Sequence, residues 1–366
     1  MELTWSIVSD GTMVPSQEPS QLIHVLDSVF GEGPQGSDFT QRPWFPLLER
    51  AFLRWDELGG VSFRYEPLDD GAPHRDSPGV IGLRGDIRLA GGVLDGVGGI
   101  VASSSYPDAA DILLDTADFW RLGNPAADYL TLRNTLMHEI GHTLGLGHIV
   151  SDDAPILMEP TLQLKVDGPQ LDDIRGLHYL YGDRFETVAG GNDTRDTATP
   201  LGTLFHGMVV RVGSDAVNAL VSWNQTDFVS IDSRDDRDFY SFTIAQPGWV
   251  DVMLEPLGGV SLQGEPGQPQ FYLNASASNN LDLALLGPDS LRISAPGRRA
   301  GELETINSQW LSSAGTYYVE IAGSRDTVQL YQLQIGFTAA VNEPMYAMLL
   351  IAGAISLKLH RLHACS

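Results

Sequence analysis

The chain has 366 residues, which is enough for two domains that each bury a hydrophobic core. Its 47 acidic and 22 basic residues give a formal net charge of −25 at pH 7, which makes nucleic acids and anionic membranes electrostatically unfavourable partners. The one cysteine, Cys365, excludes both an internal disulfide framework and a thiolate within the fold.

The first half of the chain has the patterns of both strands and helices. A helix is predicted over residues 47–58, where Leu48, Phe52 and Trp55 fall on one face, and a second helix over about 127–144. Strands are predicted, in chain order, over residues 5–8, 61–66, 80–90, 99–106 and 110–115. These elements predict an α+β first domain over residues 1–184.

The second half has a different pattern. Residues 182–199 are polar and contain glycine, which is typical of a domain boundary, and the linker is predicted at 185–192. Short alternating strands separated by turn residues follow, at residues 239–245, 249–256, 281–287, 316–323 and 331–337. This pattern predicts an all-β antiparallel sandwich domain over residues 193–338.

Residues 339–366 form a C-terminal tail that is apolar and ends with basic residues. The apolar run at 345–357 is shorter than the roughly 20 residues of a full membrane span. Two interpretations stay open, a membrane anchor and a sorting signal that resembles a degenerate PEP-CTERM tail. At the amino terminus, no basic segment precedes an apolar run, so we predict no signal peptide there.

The chemistry of the chain is concentrated in residues 138–148, with the sequence HEIGHTLGLGH. On an α-helix, His138 and His142 project from the same face, so both imidazoles can bind one metal ion. Glu139 is adjacent to them and flanks the metal, where its carboxylate can take a proton from a zinc-bound water. Alternatively, these two histidines are solvated or core residues of a helix.

A third histidine follows within reach of the same ion. Gly145 and Gly147 lack side chains, so the helix can end there and the chain can turn sharply toward His148. Three neutral imidazoles and one water would complete a tetrahedral zinc site. The full pattern is far more specific than its first five residues, and it favours one catalytic Zn²⁺ over a structural role.

The segment at 138–148 matches the HExxHxxGxxH motif of metzincin peptidases, and its surroundings resemble matrixins. Met158, in the segment PILMEP, corresponds to the methionine that metzincins place in a turn beneath the metal. Residues 171–182 are similar to the final helix of matrixin domains. The resemblance implies a zincin-like fold, with a twisted mixed sheet and three helices, and a metalloendopeptidase in which Glu139 is the general base.

Two further matrixin features concern metals. The family holds calcium with a glycine-rich loop and acidic residues, and the resemblance places Asp95, Asp115 and Asp118 in that role. The alternative is a solvated acidic turn. The structural zinc of the family needs histidines where this chain has Ser103 and Leu113, so we expect that second zinc to be absent.

Residues 193–338 resemble the pre-peptidase C-terminal domains that are attached to secreted bacterial proteases. The similarity depends on short segments, which include DDRDFYSFTI and AGTYYVEIAG. Asp235, Asp238 and Asp282 could bind calcium there, and a solvated acidic loop is the alternative that we favour.

The sequence therefore predicts a monomeric, secreted or cell-surface zinc endopeptidase that hydrolyses peptide bonds of extracellular proteins. Its partners would be protein or peptide substrates, with no nucleic acid, and attachment to the membrane or cell envelope through the tail stays open. The alternative hypothesis is a catalytically inactive cell-surface or matrix binding protein that uses its β-sandwich. The presence of Glu139 beside the histidines favours the enzyme, because a binding module needs no general base.

Overall fold

The computed structural model describes residues 1–16, 18–34, 38–107, 110–118, 128–187, 191–217 and 220–340. The predicted tail, from residue 341 onward, therefore lies outside the described residues. Among the helices of the described ranges, none is both long and apolar enough to cross a membrane.

The N-terminal part, up to residue 187, contains a mixed sheet. Its strands are β1 (Glu2–Ile7), β2 (Ser62–Tyr65), β3 (Ile87–Gly92), β4 (Ala102–Ser104) and β5 (Ile112–Asp115). In the described residues they lie in the order β2-β1-β3-β5-β4, and all neighbours are parallel except β4, which is antiparallel to β5. The short strand β4 therefore lies at one edge of the sheet.

Helices cover this sheet and supply most of its core. They are α1 (Leu22–Phe30), α2 (Phe45–Asp56), α3 (Leu130–Thr143), α4 (Leu171–Tyr181) and the short α5 (Arg184–Thr187). Leu48, Phe52 and Trp55 of α2 are all fully buried, as their spacing predicts. The indole of Trp55 donates a hydrogen bond to the carbonyl of Met137 at 2.9 Å, which joins α2 to α3.

The strand that was predicted at residues 80–90 is only partly present. The strand β3 begins at Ile87, while Val80 and Arg84 form an isolated bridge around a tight turn. Gly82 has a φ of 78° in this turn, a conformation that strands do not contain. The amide of Gly82 donates to the carboxylate of Glu66 at 2.8 Å, which stabilises the turn.

The C-terminal part, from residue 191, is rich in β-structure. Its strands are β7 (Thr199–Leu204), β8 (Met208–Val212), β9 (Ser230–Ile231), β10 (Arg237–Ile244), β11 (Gly248–Pro256), β12 (Val260–Gly264), β13 (Phe271–Asn274), β14 (Asp282–Leu286), β15 (Arg292–Ser294), β16 (Glu304–Leu311), β17 (Gly315–Ala322) and β18 (Gln329–Ala339). Within the described ranges, one sheet has the order β15-β14-β17-β10-β7 and another β16-β11-β18-β8.

These two sheets enclose a common core. Alternate residues of β10 and β11 are buried, as is typical of strands with one face against a core. The prediction of an antiparallel sandwich is correct for most pairs, but β7 is parallel to β10. That pair has no sequence signature, because β7 alternates weakly and begins with the dipeptide Thr199–Pro200.

The two parts of the chain are in direct contact. The strand β6 (Val150–Ser151) pairs with β12, whose other neighbour is β13. The fully buried guanidinium of Arg54 donates to the carbonyls of Ser222, Trp223 and Gln225. The C-terminal part therefore contacts segments on both sides of the motif at 138–148.

Candidate metal centre

Helix α3 positions the first two histidines. His138 and His142 are one turn apart near its C-terminal end, and the helix ends at Thr143. The amide of Gly145 donates to the carbonyl of His142, and Gly145 has a φ of 104°, which favours glycine because it lacks a Cβ. The chain reverses at this residue and returns His148 to the helix face.

The three imidazoles converge through the same ring atom. The Nε2 atom of His148 lies 3.2 Å from Nε2 of His138 and 3.0 Å from Nε2 of His142. In a tetrahedral zinc site with Zn–N bonds of 2.0–2.1 Å, neighbouring nitrogens are about 3.3 Å apart. The separations therefore fit a shared zinc ion.

Hydrogen bonds fix which nitrogen of two of these rings carries the proton. Nδ1 of His138 lies 2.9 Å from the carbonyl oxygen of Leu157, and Nδ1 of His142 lies 2.8 Å from that of Leu146. Carbonyls only accept, so Nδ1 of each ring is the donor and each Nε2 presents its lone pair to the centre. Lone pairs that face each other at this distance favour a cation between them.

The same rings are held in the neutral form that binds metals. Burial lowers the pKa of His138 to about 4, and burial is also the main cause that lowers the pKa of His142 and His148. A protonated imidazole cannot bind zinc, so these lowered pKa values keep the site competent near neutral pH.

Glu139 lies beside this group on α3 and is almost completely buried. Burial raises the pKa of its carboxyl, and a hydrogen bond from Ser104 opposes that change. The Ser104 hydroxyl donates to Oε2 of Glu139 at 2.6 Å. A buried carboxyl with a raised pKa is suited to accept and return a proton.

Met158, the predicted turn methionine, packs against the helix that carries His138 and His142. It is buried against α3 at Gly141, where an added Cβ would lie 2.5 Å from the sulfur of Met158. Its carbonyl accepts from the amide of Ile149, and its amide donates to Asp173 at 3.1 Å. Ile149 is thus part of the turn that closes the floor of the site.

A cavity of about 630 Å³ opens onto the three histidines and Glu139. The edge strand β4 forms one wall of this cavity, and residues 160–162 form part of another. In the described part of the chain, β4 pairs only with β5. Its second edge is therefore available to the main chain of an extended peptide.

The three aspartates that were predicted to bind calcium are close in the fold but do not converge. Asp115 accepts from the amides of Leu94 and Asp95, and Asp118 accepts from the amide of Gly98. Within the described residues, they are not among the groups whose ligand atoms all lie within 4.8 Å of one another. The hydrogen bonds order the loop, and the calcium assignment stays a prediction.

A different acidic group does converge. Ligand atoms of Glu186, Asp193 and Asp236 lie within 4.8 Å of one another where the two parts of the chain meet. Burial raises the pKa of Glu186 to about 8 and that of Asp236 to about 7, and the neighbouring carboxylates add to both changes. The sequence analysis considers Asp235, Asp238 and Asp282 for calcium and favours a solvated acidic loop there, and of these residues none is in the converging group within the described ranges.

The resemblance to matrixins would require histidines at Ser103 and Leu113 to bind a structural zinc, and both residues make other contacts. Ser103 accepts two hydrogen bonds from the guanidinium of Arg75, at its carbonyl and at its hydroxyl. Leu113 is fully buried beside Val8 and Ala90. Ser103 therefore contacts a cationic side chain, and Leu113 packs in an apolar cluster.

Two histidines on a helix, a third beyond a glycine turn, an adjacent glutamate and a methionine packed against the same helix are compatible with a zinc site of the metzincin type. Comparison with known families agrees, because residues 35–182 match the model of the matrixin family. This match covers about two fifths of the chain, and it includes the three histidines and Glu139.

Curated relatives align with the same region. The chain is 31% identical over 170 residues to human "Matrix metalloproteinase-16", with 43% of this chain and 26% of that protein covered. It is 33% identical over 182 residues to the "Hatching enzyme" of Paracentrotus lividus, covering 47% and 27%. It is 32% identical over 166 residues to "Metalloendoproteinase 5-MMP" of Arabidopsis thaliana, covering 40% and 41%. The chain thus spans about a quarter to two fifths of the length of these relatives.

Among solved structures, one match is a pre-peptidase C-terminal domain of collagenase from Bacillus anthracis. It covers 38% of this chain and 93% of that chain at 13% identity, with a TM-score of 0.22.

Proposed function

We propose that this protein is a zinc-dependent endopeptidase that hydrolyses peptide bonds of extracellular proteins. The single observation that carries the proposal is the convergence of the Nε2 atoms of His138, His142 and His148, with the carboxylate of Glu139 beside them. A protein that only binds surfaces has no use for a buried carboxyl at this position.

The three imidazoles would hold the zinc ion, and their Nδ1 hydrogen bonds would keep them oriented. When bound, zinc supplies Lewis acidity, which activates a water molecule and polarises a carbonyl group. Glu139 accepts the proton of the attacking water and delivers it to the amine that leaves. Its raised pKa matches this role, because the carboxyl must both take and release a proton near neutral pH.

The peptide substrate would extend along β4. Its main chain can pair with the edge of Ala102–Ser104, while its side chains enter the cavity between this strand and residues 160–162. Backbone pairing places the scissile carbonyl next to the histidines and Glu139. Pairing of this kind selects an extended shape more than a particular sequence.

We also propose the division into a catalytic domain at 1–184, a linker at 185–192 and a β-sandwich domain at 193–338. The change from a helix-covered sheet to two packed sheets on either side of α5 supports it. The protein would act as a monomer outside the cell or at its surface, with the sandwich as a stability or adsorption module.

For calcium, the group of Glu186, Asp193 and Asp236 is a better candidate than Asp95, Asp115 and Asp118. Carboxylate oxygens are the ligands that calcium prefers, and clustered carboxylates repel one another unless protons or a cation neutralise them. Within the described residues, Oδ1 of Asp236 and Oδ1 of the fully buried Asp238 have no hydrogen-bond partner. These oxygens would be satisfied by a bound ion.

The decisive experiment combines metal analysis of the purified protein with digestion of a mixed peptide library. We expect about one zinc per chain and cleavage within peptides, with both cleavage and zinc lost on chelation and regained on zinc addition. A protein with bound zinc that leaves the whole library intact would contradict the proposed activity.

A further inference from the structure

Ser104 contacts the carboxylate of Glu139 in a way that the zinc-site motif alone does not require. Its hydroxyl donates to Oε2 of Glu139 at 2.6 Å, across 35 positions of the sequence. Ser104 is the last residue of β4 and lines the same cavity as the three histidines. The contact therefore joins the edge strand to the general base.

The hydroxyl of Ser104 is presented by a fixed piece of backbone. In the register of the sheet, Ser104 pairs with Ile112 and Ser103 pairs with Leu113, and both partners are fully buried. The guanidinium of Arg75 donates to the carbonyl of Ser103 at 2.6 Å, on the residue immediately before Ser104. These contacts leave the strand little freedom to move relative to α3.

We propose that Ser104 is a positioning residue for Glu139, an inference that rests on the proposed function. A glutamate side chain has three rotatable bonds, and its catalytic value depends on holding one oxygen toward the reacting water. Ser104 binds Oε2, which leaves Oε1 to accept the proton. The hydroxyl itself does not compete for this proton, because it is already a donor to the carboxylate.

The position of Ser104 also ties this role to substrate binding. The backbone of β4 is the edge that an extended peptide would pair with, while the side chain of its last residue holds the base. One residue thus sets the distance between the peptide main chain and Glu139. Geometric control of this kind affects the chemical step more than the affinity for the peptide.

The kinetic test compares Ser104→Ala with Ser104→Thr and with Ser105→Ala, the neighbouring serine that lies beyond β4 and does not line the cavity. We expect Ser104→Ala to lower kcat about tenfold, the effect of losing one hydrogen bond to a charged group. Its KM should stay within about twofold, since the lost contact acts on the chemical step. Ser104→Thr should restore most of kcat, and Ser105→Ala should match the wild type.

A second readout needs no metal and no activity. In the zinc-free protein, Ser104→Ala should lower Tm by about 2–4 °C in the wild-type background, and by much less when Glu139 is already alanine. Equal shifts in both backgrounds would show that Ser104 acts on the fold and not on Glu139.

The outcomes separate the two proposals. If the wild type hydrolyses peptides and Ser104→Ala retains full kcat, the positioning role is wrong while the peptidase assignment stands. If the wild type with bound zinc hydrolyses no peptide, the proposed function fails and the positioning role fails with it.

Discussion

The ring of His138 and the carboxylate of Asp173 are joined through the backbone of Leu157. Nδ1 of His138 donates to the carbonyl of Leu157 at 2.9 Å, and the amide of Leu157 donates to Asp173 at 2.9 Å. Asp173 also accepts from the amides of Met158 and Gln170 and is buried at the start of α4. Helix α4 therefore helps to orient the ring of His138, a candidate metal ligand.

Replacement of Asp173 by asparagine should weaken both the fold and the site. Both carboxylate oxygens accept from backbone N–H groups, so the NH₂ group of asparagine would place a donor against at least one donor. We therefore expect the free energy of unfolding to fall by about 1–3 kcal/mol. Because the Leu157 carbonyl would shift, zinc affinity should also fall, by roughly 10- to 100-fold. Denaturant titration and competition with a zinc chelator would measure the two effects.

Asp172→Asn is the matched control, because this neighbour binds Arg175 and Gln263 and does not contact the turn at Met158. Zinc affinity that falls equally in both variants would mean that the path through Leu157 is not responsible.

Glu139→Gln should separate metal binding from chemistry. The amide is isosteric but cannot accept a proton, so kcat should fall by roughly 10² to 10⁴ while zinc stays at one per chain. His142→Ala should instead lose the zinc, since two imidazoles remain. Zinc analysis and peptide hydrolysis on the same samples check both. Full activity in Glu139→Gln would assign the base elsewhere.

The junction carboxylates predict an unusual dependence of stability on pH. The pKa of Glu186 is about 8 and that of Asp236 about 7 in the folded protein, against ordinary values of 4.5 and 3.8. At these two carboxyls the folded state therefore binds more protons than the unfolded state between about pH 4 and 8. Their contribution to the stability of the metal-free protein should fall as pH rises through this window, and level off above it.

Calcium should counter this loss, because the ion replaces protons at the same oxygens. Melting curves from pH 5 to 9, with and without calcium, would show a gap that widens with pH. The double variant Glu186→Gln, Asp236→Asn removes the two junction carboxyls and keeps Asp173, whose pKa is also raised. Any pH dependence that remains in this variant is therefore not due to Glu186 or Asp236. A calcium effect that persists unchanged in this variant would place the ion at another site.

We expect the contact between the two parts of the chain to depend most on Arg54. Its guanidinium is fully buried, donates to three carbonyls of residues 222–225 and lies 5.4 Å from the ring of Trp223. Arg54→Met keeps the bulk of the side chain but leaves carbonyls without donors, so unfolding should become easier by at least about 2 kcal/mol. Arg50 also lies over the ring of Trp223, but it makes none of these hydrogen bonds to residues 222–225. Arg50→Met is therefore the control variant in the denaturant titration.

The sequence predicts the convergence of the three histidines because these residues are close together in the chain. His138, Glu139 and His142 lie on one helix, and a single glycine turn brings back His148, so spacing alone determines their geometry. The apolar face of α2 and the alternation of β10 and β11 are local signals of the same kind. The sequence predicts these periodic elements correctly, and their predicted ends differ from the observed ends by no more than two residues.

The features that the sequence did not predict depend on residues that are far apart in the chain. Ser104 meets Glu139 across 35 positions, and Glu186 meets Asp236 across a change of domain. Helix α1 has an apolar face, but its N-cap residue, Gln21, makes no side-chain capping bond, so no start signal marks it. Long-range contacts of this kind follow from the assembled sheets and leave no periodic pattern.

The pairing of Val150–Ser151 with β12 has a consequence for engineering. The sheet that continues from the third histidine takes its other two strands from residues 260–274, so the catalytic unit and the sandwich share one element of structure. A chimaera assembled by joining residues 1–187 to a foreign carrier would leave this strand without its neighbour. A transplant of residues 1–187 would therefore have to include the β12–β13 pair, or a designed strand that replaces it.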